Sequence, residues 1–134
     1  MNYRTVGRSG LKVSEICLGA WINFGGRIAD EETFAVLDAA VEEGINFLDT
    51  ADVYSRGVSE TIVGRALARD GKRDRVFLAT KGYNKMDDTD PNAWGSHRFH
   101  LIKAWERTTL TCTRSTGPSR PSRLTRLCAP WMTW

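Results

Sequence analysis

Along residues 1–103 the apolar positions recur with two different spacings. Phe34, Leu37, Ala40 and Val41 fall three or four apart, the period of one helix face, with Asp30 ahead to cap the start and Gly44 behind to end it. Ile62, Val63, Ala66 and Leu67 repeat that spacing behind Ser59, which predicts a second helix capped by the serine. Between and around these lie short runs of strand character: Glu15 to Gly19, expected to be buried, Ile45 to Asp49, and Val76 to Lys81. Ahead of them, Tyr3 to Val6 and Leu11 to Val13 flank the turn set Gly7-Arg8-Ser9-Gly10, a hairpin pattern. The predicted order is hairpin, β, α, β, α, β.

Strands alternating with helices at this spacing predict an α/β fold of parallel units, either an open doubly wound sheet or a (β/α)8 barrel. A doubly wound dinucleotide fold normally carries G-x-G-x-x-G after its first strand. Here that stretch reads Gly19-Ala20-Trp21-Ile22-Asn23-Phe24-Gly25-Gly26, which does not match the spacing and favours the barrel.

Catalytic groups of such a barrel sit at the C-terminal ends of its strands. Gly19, Asp49 and Lys81 each occupy such an end, parallel strands bring those ends to one face, and Tyr54 follows in the loop after Asp49. An acid, a phenol and an amine then share one rim. A free tyrosine, with a pKa near ~10, is a poor proton donor at neutral pH, and a neighbouring ammonium lowers it. Lys81 could supply that field while Asp49 holds its head; an ordinary rim ion pair beside a solvated loop tyrosine explains the same residues.

Composition changes the picture at one place. Overall the 134 residues are 41% apolar and 26% charged with net charge +3, a profile of one small globular domain. Residues 1–103 carry 14 Lys+Arg against 15 Asp+Glu, whereas residues 104–134 carry five Arg against the single Glu106, and 18 of those 31 are Ser, Thr, Arg or Pro. The arginines there lack a helix period, so a nucleic-acid surface is not expected. Neither a membrane span nor a secretory signal is readable, which points to the cytoplasm. Cys17, Cys112 and Cys128 have no paired spacing, so reduced thiols are expected rather than a disulfide framework or a zinc site.

Several motifs in one order resemble the aldo-keto reductases: Tyr3-Arg4-Thr5-Val6-Gly7-Arg8-Ser9-Gly10-Leu11-Lys12-Val13-Ser14, then Leu18-Gly19-Ala20-Trp21, then Gly44-Ile45-Asn46-Phe47-Leu48-Asp49-Thr50-Ala51-Asp52-Val53-Tyr54. Ser59-Glu60, Val63-Gly64 and Leu78-Ala79-Thr80-Lys81 continue the match to about Lys103. The stretch after Gly19 looks most like the branch related to potassium-channel β-subunits. The resemblance implies a (β/α)8 TIM barrel with an N-terminal β-hairpin that reduces a small carbonyl compound with NADP(H). It also implies Asp49 as lysine support, Tyr54 as proton donor and Lys81 as the cation beside it. Gly19, Ala20, Trp21 and Asp49 would face the cofactor, with NADPH over NADH only a habit of the family.

The departures matter as much. The histidine of the family follows the fourth strand, and no such segment is readable after Lys103; His97 and His100, on the approach to a helix, are expected to be surface or capping residues. A barrel takes about 250 residues, so residues 1–103 are expected to form only its N-terminal part, an incomplete barrel. Residues 104–134 are expected to be an out-of-frame tail without a fold of their own. Permitted codons for Trp105 to Pro118, regrouped from one base upstream, read L-G-T-D-H-I-D-L-Y-Q-V-H-R-P, which resembles the missing segment. Those for Thr125 to Trp134 regroup to D-E-T-L-R-A-M-D-D-L, although Trp131 and Met132 have single codons. Two functions follow: a carbonyl reductase, or a non-catalytic fragment whose open sheet is sticky or chaperone-bound. A helical interaction module conflicts with the strand motifs around Asp49 and Lys81.

Overall fold

The computed structural model describes residues 1–104. Strands β1 (Tyr3–Thr5) and β2 (Lys12–Ser14) form the antiparallel hairpin, and β3 (Leu18–Gly19), β4 (Phe47–Asp49) and β5 (Phe77–Ala79) form a parallel sheet in that order. Helix α1 (Asp30–Glu42) joins β3 to β4, α2 (Val58–Ala68) joins β4 to β5, and a further helix, α3, spans residues 98–104. The expectations on residues 105–134, including Cys112 and Cys128, lie outside the described residues.

Pairing register explains which face of the sheet is apolar. Leu18 lies opposite Leu48 and Leu48 opposite Leu78, so the three form one row, and all pack with Leu37, Val41, Val63 and Leu67 between sheet and helices. Side chains alternate along a strand, so Phe47, Asp49 and Phe77 belong to the other face, where the two phenylalanine rings lie 5.9 Å apart. Leu37 and Leu67 are fully buried, and each contributes roughly 1.5–3 kcal/mol by leaving water. The helices are also tied edge to edge: Arg65 pairs with Asp30 at 2.7 Å, and the Arg65 and Arg69 guanidiniums lie over the Phe34 ring.

Helix α1 ends as its sequence predicts. Gly44 has φ +88, the Gly44 N–H donates to Val41 O at 3.1 Å, and the Ile45 N–H donates to Ala40 O at 2.9 Å, the paired bonds of a left-handed helix stop. Its start differs by one residue: the extended Ala29 takes the cap position, and Asp30 begins an acidic first turn with Glu31 and Glu32 that suits the helix dipole. The strand expected over Glu15–Gly19 shrinks to Leu18–Gly19. Glu15, Ile16 and Cys17 are exposed, because only Leu18 and Gly19 pair with β4.

The hairpin is moored to the start of β4. Asn46 Oδ1 accepts the Ser14 N–H at 2.7 Å, Asn46 Nδ2 donates to Lys12 O at 3.2 Å, and Tyr3 OH donates to Gly44 O at 2.8 Å. The N-terminal end of the sheet is thereby covered, and the opposite end, where β3, β4 and β5 finish, is left for chemistry. Among the described residues no helix is long and apolar enough to cross a membrane.

Candidate functional site

Register places the three strand ends side by side, with Gly19 opposite Asp49 and Asp49 opposite Ala79. Two residues past Ala79, Lys81 reaches back: its Nζ donates to both Asp49 oxygens at 2.8 and 2.7 Å and to Thr50 O at 2.7 Å. These bonds fix the ammonium head in one place. Burial, the largest single influence, pulls the Lys81 pKa down, but the bonds to Asp49 and Tyr54 and the attraction of both outweigh it, and the net result is raised. Lys81 is therefore a fixed cation at neutral pH.

Tyr54 is brought to that cation by a tight turn. After Tyr54 the chain passes through Ser55 and Arg56, both with φ +50, and Gly57 with φ +88, before α2 begins. Two non-glycine residues in the left-handed region are costly, about 1–3 kcal/mol each, and here they reverse the chain so that the phenol ring lies beside Lys81, its centroid 5.1 Å from Nζ. Trp21 stacks on Tyr54 at 5.9 Å with 21° between planes, and is 67% exposed. Gly19 has nothing within 4 Å of where a Cβ would stand, and Ala20 beside it is buried. The rim therefore offers an open floor at Gly19, an aromatic wall of Trp21 and Tyr54, and one cation paired to one acid. This is room suited to a flat ring.

Beneath the rim lies a polar layer that sequence reasoning did not find. Ser59, expected as a helix cap, makes no cap bond; Gly57 holds that position. The fully buried Ser59 hydroxyl instead donates to Ala20 O at 3.1 Å and lies 3.3 Å from Thr50 Oγ1. Thr80 Oγ1 donates to buried Glu60 Oε1 at 2.6 Å, so the next residue of α2 holds the segment leading to Lys81. The backbone continues the lacing: Ala20 N–H donates to Asp49 O at 2.9 Å, Thr50 N–H to Ala79 O at 2.9 Å, and Asp52 N–H to Lys81 O at 3.0 Å. The motif Ser59-Glu60 was noted in the sequence; its partners, far along the chain, were not readable there.

Placement also describes Cys17, His97 and His100. Cys17 is exposed and free; partial burial of its thiol and then the charge of Asp49 push its pKa up, with Lys81 partly opposing. The thiol rather than the thiolate is thus its favoured form at neutral pH. His97 is a capping residue, its Nδ1 accepting the His100 N–H at 3.2 Å. His100 departs from the expectation: it is 2% exposed, and its Nε2 lies 3.5 Å from Oδ2 of the equally buried Asp52. Among the described residues no cluster of three or more His, Cys, Asp or Glu is placed to hold a metal ion.

Comparison with known proteins gives a consistent picture. Residues 15–113 match the model of the aldo/keto reductase family. The chain is 38% identical over 104 residues to a probable voltage-gated potassium channel subunit beta of Oryza sativa and 41% identical over 97 residues to the uncharacterized oxidoreductase YrpG of Bacillus subtilis, covering 77% and 69% of this chain. It spans about a third of the length of these curated relatives, 31% and 29% respectively. An aldo-keto reductase of Bacillus halodurans, solved in its holo form, superposes with a TM-score of 0.70 at 32% identity, covering 84% of this chain and 36% of that one.

Proposed function

The chain belongs to the aldo/keto reductase family, and on that premise we propose that Asp49, Tyr54 and Lys81 are working groups of a nicotinamide-dependent carbonyl reduction. The observation that carries the reading is the fixed ammonium of Lys81, bonded to both Asp49 oxygens and set 5.1 Å from the centre of the Tyr54 ring. An ammonium held beside a phenol offsets the negative charge that develops on the oxygen as its proton is given up. Tyr54 gives the proton that a carbonyl oxygen needs as it becomes an alcohol. Lys81 steadies the phenolate left behind, and Asp49 keeps Lys81 charged and in place.

The rim fits a nicotinamide ring on its own geometry. Open space above Gly19 and the exposed indole face of Trp21 give a flat group somewhere to lie beside Tyr54. When bound, the reduced cofactor supplies the hydride. Gly19, Ala20, Trp21 and Asp49 are the residues that would hold its nicotinamide end. NADPH is the proposed form and a small aldehyde or ketone the proposed substrate, with the cytoplasm, whose reducing conditions suit the free Cys17 thiol, as the proposed setting.

A second reading is favoured by the extent of the match. The described strands supply three members of a (β/α)8 barrel, and the chain spans about a third of its relatives. On that reading the 134 residues are an incomplete barrel that carries part of the site and does not turn over alone. Titration of the chain into NADPH, followed by nicotinamide fluorescence, separates the two. Saturable binding weakened by Trp21→Ala supports the cofactor wall, and no saturable signal assigns the chain to the fragment reading.

A further inference from the structure

Behind the acid, phenol and amine lies a pair of ionisable side chains that the proposed chemistry does not use. Asp52 is 1% exposed and His100 2% exposed, with Nε2 of the imidazole 3.5 Å from Oδ2 of the carboxylate. Placing two such groups out of water is costly unless they meet each other. The pair joins two pieces of chain: Asp52 stands in the turn between Asp49 and Tyr54, and His100 stands on α3.

Gly82, the residue directly after Lys81, lies between those pieces. A Cβ on Gly82 would stand 3.0 Å from Ala104 Cβ, 3.4 Å from Leu101 Cδ2 and 3.5 Å from Asp52 Oδ2. Helix α3 therefore rests directly on the backbone that carries Lys81, and the Asp52 carboxylate meets the same point of it. The Asp52 N–H also donates to Lys81 O at 3.0 Å. One residue thus bonds the lysine segment by its amide and faces His100 of α3 with its carboxylate.

We propose that His100 is a positioning residue for the site: through Asp52 it clamps α3 onto Gly82 and so sets the reach of Lys81 toward Asp49 and Tyr54. The imidazole is 2% exposed, and it acts on the chemistry through this clamp. The ring of His97, the residue just ahead of α3, lies 6.0 Å from that of His100. Among the described residues, the charged or titratable neighbours of Lys81 are Asp49 on β4, Tyr54 in the turn and Cys17 ahead of β3. The proposal rests on reading Asp49, Tyr54 and Lys81 as the working groups, and its test reads Lys81 directly, so a chain that binds no cofactor still answers it.

The test uses two amide substitutions that differ in reach. In His100→Gln the side-chain nitrogen falls where Nε2 lies, and in His100→Asn where Nδ1 lies, short of Asp52. Competitive acetylation of the 134-residue chain across pH, with each lysine quantified by mass spectrometry, gives a titration profile for Lys81 beside those of Lys12 and Lys85. The expected result is a Lys81 profile moved to lower pH in His100→Asn, a wild-type profile in His100→Gln, and unchanged profiles for Lys12 and Lys85 in both. An unchanged Lys81 profile in a folded His100→Asn chain overturns the proposal. So does a His100→Asn chain in which all lysines change together with loss of helical circular dichroism, since the pair then serves the fold at large.

Discussion

Replacing Ser59 by alanine removes the bridge between Ala20 O and Thr50 Oγ1 beneath the rim. The hydroxyl is fully buried, with these partners at 3.1 and 3.3 Å. Losing one partner of a buried polar group costs about 1–3 kcal/mol, and the threonine hydroxyl can turn to a new acceptor more easily than a carbonyl can find a new donor. The expected loss is therefore about 2 kcal/mol, set by the stranded Ala20 carbonyl. With a urea dependence of about 1–3 kcal/mol/M for a small domain, the unfolding midpoint falls by roughly 1 M. Urea titration followed by circular dichroism measures it. Ser59→Asp then separates a bridge from a cap, because aspartate caps as well as serine but cannot donate to Ala20 O. The aspartate variant should be less stable than the alanine one. An alanine variant within about 0.5 kcal/mol of wild type, the usual range for surface substitutions, or an aspartate variant as stable as wild type, refutes the bridge.

Other predictions address the ion pair and the helix stop. The folded-state pKa of Lys81 is raised above its usual 10.5, so the stability it contributes is fully present below that pH and is lost as pH rises through the raised value. The stability gap between wild type and Lys81→Met should accordingly be constant from pH 7 to about 10 and narrow above it, read from urea midpoints at each pH. The gap itself is small, about 1 kcal/mol or less, because the side chains of Lys81 and Asp49 are 49% and 40% exposed. Gly44→Ala places a Cβ 2.9 Å from Tyr3 OH at a φ of +88, which should cost at least about 1 kcal/mol. A thermal midpoint unchanged in that variant would contradict the helix stop.

How much could be read from the sequence depended on the range of each interaction. The fold of α1 was legible because Phe34, Leu37, Ala40 and Val41 mark a face, and Gly44 stops the helix by a local conformation. The grouping of Asp49, Tyr54 and Lys81 was legible too, since parallel register carries strand ends to one edge whatever the side chains do. Ile16 misled: an apolar residue in a strand-like run is 58% exposed because pairing begins only at Leu18. Ser59 and His100 misled for a shared reason. A hydroxyl at a helix start reads as a cap and a histidine near one as a surface residue, whereas the partners that bury them, Ala20 O and Asp52, are far away in sequence.

The central claim, that Tyr54 beside Lys81 is the proton donor of a carbonyl reductase, is tested most directly in a chain where residues 1–104 precede the remaining barrel of the Bacillus halodurans reductase. NADPH oxidation in the presence of simple aldehydes is measured for this chimera and for its Tyr54→Phe form, with folding checked by circular dichroism and NADPH affinity by fluorescence. The account predicts aldehyde-dependent turnover that drops by about 10²–10⁴-fold in Tyr54→Phe while NADPH affinity stays nearly the same. A folded chimera that reduces no aldehyde, or one whose Tyr54→Phe form turns over at the parent rate, contradicts it.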